Sequence, residues 1–178
     1  DLINVNCNGA NFNNTYMHDT SFDSGDSSKA DFTKANIVDC CMYDANFDKA
    51  CFKDARLERT YAYKASFANA DCTNTEFKDC NLKRADCLRT NFTGANLAGN
   101  NLESAMLTST NFTNANLEGA KFDYATSDQN ANFENAQLSR ASFKNAGFVQ
   151  ASFKNADSII LPLSSMSFPP YIQKNLSN

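Results

Sequence analysis

The chain has 178 residues, 42% hydrophobic and 20% charged, with 16 Lys and Arg against 20 Asp and Glu. That is the length of one ordinary domain, and a net charge of −4 with both signs interspersed excludes the polybasic footprint of a nucleic-acid binder and the composition of a disordered tail. A single histidine, His18, and no tryptophan leave little equipment for acid–base chemistry near neutral pH, and no apolar run nears the roughly 18 residues of a membrane span.

The chain opens at Asp1 with no initiator Met and no basic-then-apolar leader, which reads as a processed product or a piece of something longer. Ahead of the repeats stand only Leu2 and Val5, so this end is expected to be uncapped. From Cys7 onward a five-residue register takes over. Its large apolar position falls at Phe12, Met17, Phe22, Phe32, Ile37, Met42, Phe47, Phe52 and Leu57, and continues to Leu117 and Phe122; fourteen of the fifteen phenylalanines occupy it. Two residues earlier comes a small residue, as at Ala10, Ala30, Ala35 and Ala45, with Thr20, Cys40, Thr60 and Cys80 as substitutes. Random placement would put about a fifth of the phenylalanines there, so the register is a property of the chain. Between Phe122 and Phe133 the spacing is eleven rather than ten, placing one inserted residue within Ser127–Asn130, after which the register resumes at Phe133, Leu138, Phe143, Phe148 and Phe153.

A period of five fits neither a helix nor a sustained strand. Within a pentad, however, the small and the large residue are two apart and point the same way off an extended backbone, and the two polar residues that follow must turn the chain. Repetition makes a solenoid whose large side chains converge on one axis. Residues 1–160 are assigned to it. Residues 161–178 leave the pattern: with Ile159 and Ile160 they include Leu161, Pro162, Leu163, Met166, Phe168, Pro169 and Pro170, then a short helical turn over 171–176. They are expected to fold over the last coil as a cap, with homodimerisation through the tail as the other reading.

Ala30 Asp31 Phe32 Thr33 Lys34, Ala95 Asn96 Leu97 Ala98 Gly99 and Ala115 Asn116 Leu117 Glu118 Gly119 resemble the consensus of the pentapeptide-repeat family, and about thirty consecutive units support the likeness. The resemblance implies an all-β fold, a right-handed quadrilateral β-helix with four pentads per coil. Seven to eight coils at about 4.8 Å make a rod of roughly 35 Å. Residues twenty apart then stack. One face reads Phe12, Phe32, Phe52, Cys72, Phe92, Phe112, Phe133 and Phe153, and another Met17, Ile37, Leu57, Phe77, Leu97, Leu117 and Leu138. Ser27 and Ala62 break the pattern.

The seven cysteines, Cys7, Cys40, Cys41, Cys51, Cys72, Cys80 and Cys87, form no CxxC pair and have no histidine spaced to complete a zinc site, so they read as packing thiols of a reducing compartment, placing the chain in the cytoplasm. His18 beside Asp19 has no nucleophile assignable to it, and no glycine-rich phosphate loop occurs. No catalytic, cofactor or metal residues are assigned, and neither membrane nor direct nucleic-acid binding is expected. The sequons at Asn13, Asn91, Asn111 and Asn175 are by-products of an Asn- and Thr-rich repeat.

With the inward positions committed to packing, recognition must lie outside. One patch departs from the Asn, Asp, Ser, Thr and Lys background: Tyr43, Tyr61, Tyr63, Lys64, Lys83 and Arg84 on the face of Met42, Ala62 and Leu82, with Arg56 and Arg59 on the adjoining face. Exposed aromatics beside Arg and Lys are the composition of a protein interface. Charge is uneven: residues 1–50 carry eight acids and three bases, net −5, and residues 51–90 six and eight, net +2. Some members of the family imitate duplex DNA and bind type II topoisomerases. Duplex DNA carries about one charge per 1.7 Å, so a rod of this length would want roughly twenty net negative charges. This chain has a net of four and lacks long loop insertions. The expectation is therefore a non-catalytic protein-interaction scaffold, with a DNA-mimicking topoisomerase modulator as the alternative and a recognition module of a larger effector as a third reading.

Overall fold

The computed structural model describes residues 1–157. Its pentads share one plan. The residue between the two inward positions faces out, and where it is Asp or Asn its side chain commonly accepts the backbone N–H two residues on, as Asp31 does from Thr33 at 2.8 Å and Asp86 from Leu88 at 3.0 Å. The next small residue usually donates back to the central carbonyl, closing a β-turn: Ala35 N–H to Phe32 O at 2.9 Å, Ala95 N–H to Phe92 O at 3.0 Å. The corner residue of each pentad is left-handed, with φ between 48° at Asn130 and 70° at Gly99. A side chain there costs about 1–2 kcal/mol, yet Lys, Arg, Asp and Tyr are all tolerated because the ladders on either side fix the corner.

Leu2, Cys7, Phe12 and Met17 are the inward residues of the first coil, and the four faces are named here after them. Backbone bridges between residues twenty apart, such as Asn11 to Asp31 and Asn81 to Asn101, stack the coils in parallel. The result is a right-handed quadrilateral β-helix, all-β, with seven full coils and three pentads of an eighth. The register becomes twenty-one wherever it spans the inserted residue, as from Asn111 to Asn132, and returns to twenty from Asn132 to Ser152. Thr126 and Ser127 pair with Gly147 and Phe148, so the extra residue widens the turn after Ser127, which takes the inward position. The first coil also starts earlier than its sequence suggests: Leu2 and Asn4 donate to Ser21 and Asp23 at 2.6 and 2.9 Å, and Asn4 is a left-handed corner. Leu2 is thus a repeat position rather than a lead-in. The assigned cap, its dimer reading and the boundary at residue 160 lie outside the described residues. No helix among the described residues is long and apolar enough to cross a membrane.

Inside, the Phe12 face stacks ring on ring: Phe12 on Phe32 at 4.8 Å, Phe32 on Phe52 at 4.7 Å, and, above Cys72, Phe92 on Phe112 at 5.1 Å, Phe112 on Phe133 at 4.9 Å and Phe133 on Phe153 at 4.8 Å. Rings from opposite faces meet edge-on, as Phe122 and Phe133 do at 89°. Full burial of each ring contributes about 1.5–3 kcal/mol against the entropy of ordering the chain. Among the described residues no ring contact joins Phe67 to Phe77; there the axis is filled by Ala62, Cys72, Leu82 and Cys87, all fully or almost fully buried.

On the Met17 face the first four coils differ from the rest. Tyr16–His18 (β1), Asn36–Val38 (β2), Arg56–Glu58 (β3) and Glu76–Lys78 (β4) are three-residue strands forming one parallel sheet. Their turns stay open, lacking the closing bond to the central carbonyl, and the residue in the next small position donates from its side chain to the carbonyl after that one. Thr20 Oγ1, Cys40 Sγ, Thr60 Oγ1 and Cys80 Sγ each donate to the carbonyl two residues back at 3.3–3.4 Å. Asn100 ends the column: buried, it donates Nδ2 to Phe77 O at 2.8 Å, accepts the Cys80 N–H at 2.7 Å, and its own N–H closes the first turn of the other kind onto Leu97 O. The remaining paired strands, Thr126–Ser127 (β5) and Gly147–Phe148 (β6), form a two-stranded sheet on the Cys7 face.

Candidate lateral interaction face

The five-residue period aims residues on either side of an inward one away from the axis. Around Ala62 that puts Tyr61 and Tyr63 side by side on the Leu2 face, and the twenty-residue register sets Tyr63 above Tyr43. The three rings lie nearly parallel: Tyr43 to Tyr63 at 5.9 Å and Tyr61 to Tyr63 at 6.0 Å, both at 9°. Tyr43 is held from below, its N–H donating to Asp23 Oδ1 at 2.8 Å. Tyr43 and Tyr61 remain about 40% exposed (39% and 42%). Lys64 Nζ stands 5.8 Å from the centre of the Tyr63 ring, within cation–π range. Lys83 pairs with Glu103 at 2.8 Å, whereas Arg84, exposed at the next corner, has no ion pair among the described residues.

Arg56 and Arg59 do not join this group. They sit on the Met17 face in a ladder of ion pairs that climbs four coils. Asp39 accepts from Arg59 Nε and Nη2 at 2.6 and 2.8 Å. Glu58 bonds Arg56 at 2.6 Å, Lys78 at 3.0 Å and also Arg59, and Arg56 Nε lies 3.7 Å from Glu76. The Arg59 hydrogen bond holds the Asp39 carboxyl below the usual carboxylate range, and the Lys78 hydrogen bond does the same for Glu58. The sequence reading grouped the arginines with the tyrosines because their faces adjoin; the carboxylates twenty residues away were the signal of their ion pairs.

His18 ends this ladder. Its Nδ1 lies 3.0 Å from Asp19 and its Nε2 3.3 Å from Asp39, so each ring nitrogen is spent on a different carboxylate, and Asp39 is already committed to Arg59. The three groups lie close enough to suggest a metal centre, but the ring nitrogens diverge, and the arrangement is the end of a ladder of surface contacts. The thiols are unpaired. Burial pushes Cys80 up to about 11 and raises Cys72 and Cys87 well above the normal thiol range, so all three are neutral and unreactive near pH 7. The sequon residues Asn91 and Asn111 are rungs of a polar ladder on the Phe12 face: each donates to a threonine one coil below, Thr73 and Thr93, at 2.9 Å.

A family model described as pentapeptide repeats matches in eight copies over residues 1–37, 28–61, 45–86, 63–99, 85–123 and 129–157, skipping the stretch that holds the inserted residue. No curated protein matches in sequence. Among solved structures, full-length QnrB1, a plasmid-mediated fluoroquinolone resistance protein, is similar at 19% identity, with 98% of this chain and 94% of that one covered and a TM-score of 0.48. HetL, a pentapeptide repeat protein involved in heterocyst differentiation regulation in the cyanobacterium Nostoc sp. strain PCC 7120, is similar at 18% identity, covering 96% and 92%, with a TM-score of 0.42. A pentapeptide repeat protein of the Arabidopsis thaliana thylakoid lumen is similar at 21% identity over 56% of this chain and 66% of that one, with a TM-score of 0.41. With repeat matches spanning nearly all of residues 1–157 and the pentads wound four to a coil, the chain belongs to the pentapeptide-repeat family.

Proposed function

We propose that the chain is a non-catalytic interaction scaffold that holds a protein partner against its Leu2 face, through Tyr43, Tyr61, Tyr63, Lys64, Lys83 and Arg84. The observation that carries this reading is the slab of three nearly parallel tyrosines, the outer two exposed and the central Tyr63 half-buried with a cation over its ring. Tyrosine and arginine supply rigid, amphipathic contact area and dominate interface energetics. Arg56 and Arg59 frame the patch without belonging to it, since their charge is already engaged. Seven unpaired thiols suit a reducing, cytoplasmic setting.

The test is a double substitution, Tyr61→Ser with Tyr63→Ser, in a chain used as affinity bait against extract of its source cells. The variant should keep the wild-type circular dichroism and unfolding midpoint and lose the proteins the wild type retains. Identical retention by both baits refutes the assignment. A second reading, DNA mimicry toward a type II topoisomerase, is favoured by one observation, the net charge of −5 over residues 1–50. A supercoiling assay separates the two: a scaffold leaves gyrase activity unchanged, and inhibition or protection by the purified chain supports the mimic.

A further inference from the structure

Among the described residues, the large apolar side chains left exposed fall into separate groups. Ile3, Val5 and Tyr16 belong to the first coil and Val149 to the last. The other four, Tyr43, Tyr61, Met106 and Tyr124, line one edge of the rod, where the Leu2 face turns into the Cys7 face. The register fixes that edge. Its corner residues in coils three to seven are Asp44, Lys64, Arg84, Ser104 and Tyr124, each twenty residues from the last, and Met106 stands two residues past Ser104. Tyr124 and Met106 are about half exposed, at 51% and 49%, more than the tyrosines of the patch itself. The apolar groups thus stand at both ends of a strip whose middle holds Lys64 and Arg84.

The middle of the strip holds two cations without a carboxylate partner among the described residues. Lys64 leans over the Tyr63 ring with no carboxylate partner, and Arg84 has none either. The acids nearby are Glu103, neutralised by Lys83; Asp123, whose Oδ1 is taken by the Ser142 hydroxyl and the Lys144 N–H; Asp86, which accepts from the Leu88 N–H; and Asp44, which marks the lower end. From Tyr43 to Tyr124 is four coil steps, about 19 Å at 4.8 Å each, which an extended chain rising about 3.3 Å per residue spans in roughly six residues.

We infer that this edge is a docking strip for an extended acidic segment of a protein partner, about six residues long, with two central carboxylates on Lys64 and Arg84 and apolar side chains against Tyr43 and Tyr61 at one end and Met106 and Tyr124 at the other. It rests on the scaffold reading and names the chemistry of the partner. Two unpaired cations suit a pair of carboxylates; a nucleic-acid backbone, with a phosphate every few ångströms, would meet uncompensated acids on either side.

The experiment measures fluorescence anisotropy of labelled hexapeptides, with Phe-Leu-Glu-Glu-Leu-Phe as the probe, Phe-Leu-Lys-Lys-Leu-Phe as its charge reversal and a ten-nucleotide oligothymidine as the nucleic-acid arm. The wild type should bind the glutamate peptide at least about ten-fold more tightly than the lysine one. Arg84→Glu should erase or invert that preference, Arg84→Gln should reduce it, and Tyr124→Ser or Met106→Ser should weaken binding by about three-fold or more, while Tyr16→Ser at the first coil changes nothing. Equal binding of both peptides, an unaltered preference in both Arg84 variants, or oligothymidine bound more tightly than the glutamate peptide each overturns the proposal. Partner capture that depends on Tyr61 and Tyr63 but not on Arg84 and Tyr124 leaves the scaffold standing and removes the strip.

Discussion

The Met17 face changes character halfway along the rod while its inward residues barely change. In coils one to four Met17, Ile37, Leu57 and Phe77 sit over open turns whose outer residues form an ion-pair ladder; in coils five and six Leu97 and Leu117 sit over closed turns with Gly99 and Gly119 at the corner. The core does not set this difference, since Leu57 and Leu97 are the same residue, each buried. On this face the following small position tracks it: Thr20, Cys40, Thr60 and Cys80 stand after open turns, Asn100 serves the open turn one coil below while closing its own, and Ala120 closes its own. The turn type then decides which outer side chains reach each other along this face.

The largest expected effect is on pH stability, and it should fall on the first half. Among the described residues, every titratable group with a displaced pKa lies between Asp26 and Cys87. A thiol raised by burial stays protonated in the fold while the unfolded chain ionises, so its stabilisation is complete below about pH 8.5 and shrinks as pH rises toward the folded value, by about 1.4 kcal/mol per pH unit per thiol. For Cys80 the window closes at about 11; Cys72 and Cys87 lose stability over the same rise. Acid acts in the opposite sense on the same half: hydrogen bonds from Ser28, Thr33 and Asn69 hold Asp26, Asp31 and Asp48 below their usual range, so their contribution is present above about pH 4 and is lost as pH falls through the depressed values. Hydrogen exchange at pH 10 should show coils one to five opening before six to eight, and Cys80→Ala should flatten the alkaline slope by one thiol. Uniform opening would erase the distinction between the halves.

Next in size is Asn100→Ala. It strips buried partners from the Cys80 N–H and the Phe77 carbonyl at once, and at about 1–3 kcal/mol per unsatisfied group should lower stability by about 3 kcal/mol. Ala120→Ser one coil higher, beside a closed turn, should cost less than about 1 kcal/mol. Equal losses in denaturant titrations would show that the column is ordinary filling.

How much of this was legible follows from what kind of signal each feature leaves. The fold was, because a bulky residue every fifth position is a one-dimensional signal that no helix or sheet can mimic. The tyrosine patch was visible too, as Tyr43, Tyr61 and Tyr63 stand out from an Asn- and Thr-rich exterior. The open turns were not: Thr20, Cys40, Thr60 and Cys80 pass for small residues by size, and only hydrogen-bond geometry shows them as donors. Arg59 was set on the adjoining face, but its ion pair was hidden because its partner Asp39 is twenty residues off, next to it only once the coil is wound. Tyr124 and Met106 were overlooked because each is alone in the sequence and gains company only along the edge.

Two corner glycines refine the picture of the second half. Gly99, at φ 70°, has open space where a Cβ would go, so Gly99→Ala should cost only the left-handed penalty, about 1 kcal/mol. Gly94, at φ 66°, would put the same methyl 2.6 Å from Asn74 Oδ1, and Asn74 in turn donates to Asp54. Gly94→Ala should cost about 0.5–1.5 kcal/mol more, the value of a displaced hydrogen bond, and matched melting curves for the pair measure it.

The smallest effect should come from the ion pairs, and it is the one that tells a ladder from a set of pairs. Arg59 bridges two carboxylates in adjacent coils, while Arg140, on the same face higher up, meets Glu118 alone with most of its side chain in water. Exposed single pairs are worth little, because two long side chains must be held still in high dielectric. Arg140→Gln should therefore leave the melting midpoint where it is, whereas Arg59→Gln removes one cation from both Asp39 and Glu58 and lowers it slightly. In about 1 M NaCl, where the screening length falls to about 3 Å, the Arg59 difference should vanish. A difference that survives salt would mean that Arg59 holds the open turn by packing over Val38, whose outward side chain is 8% exposed, and that its charge is incidental.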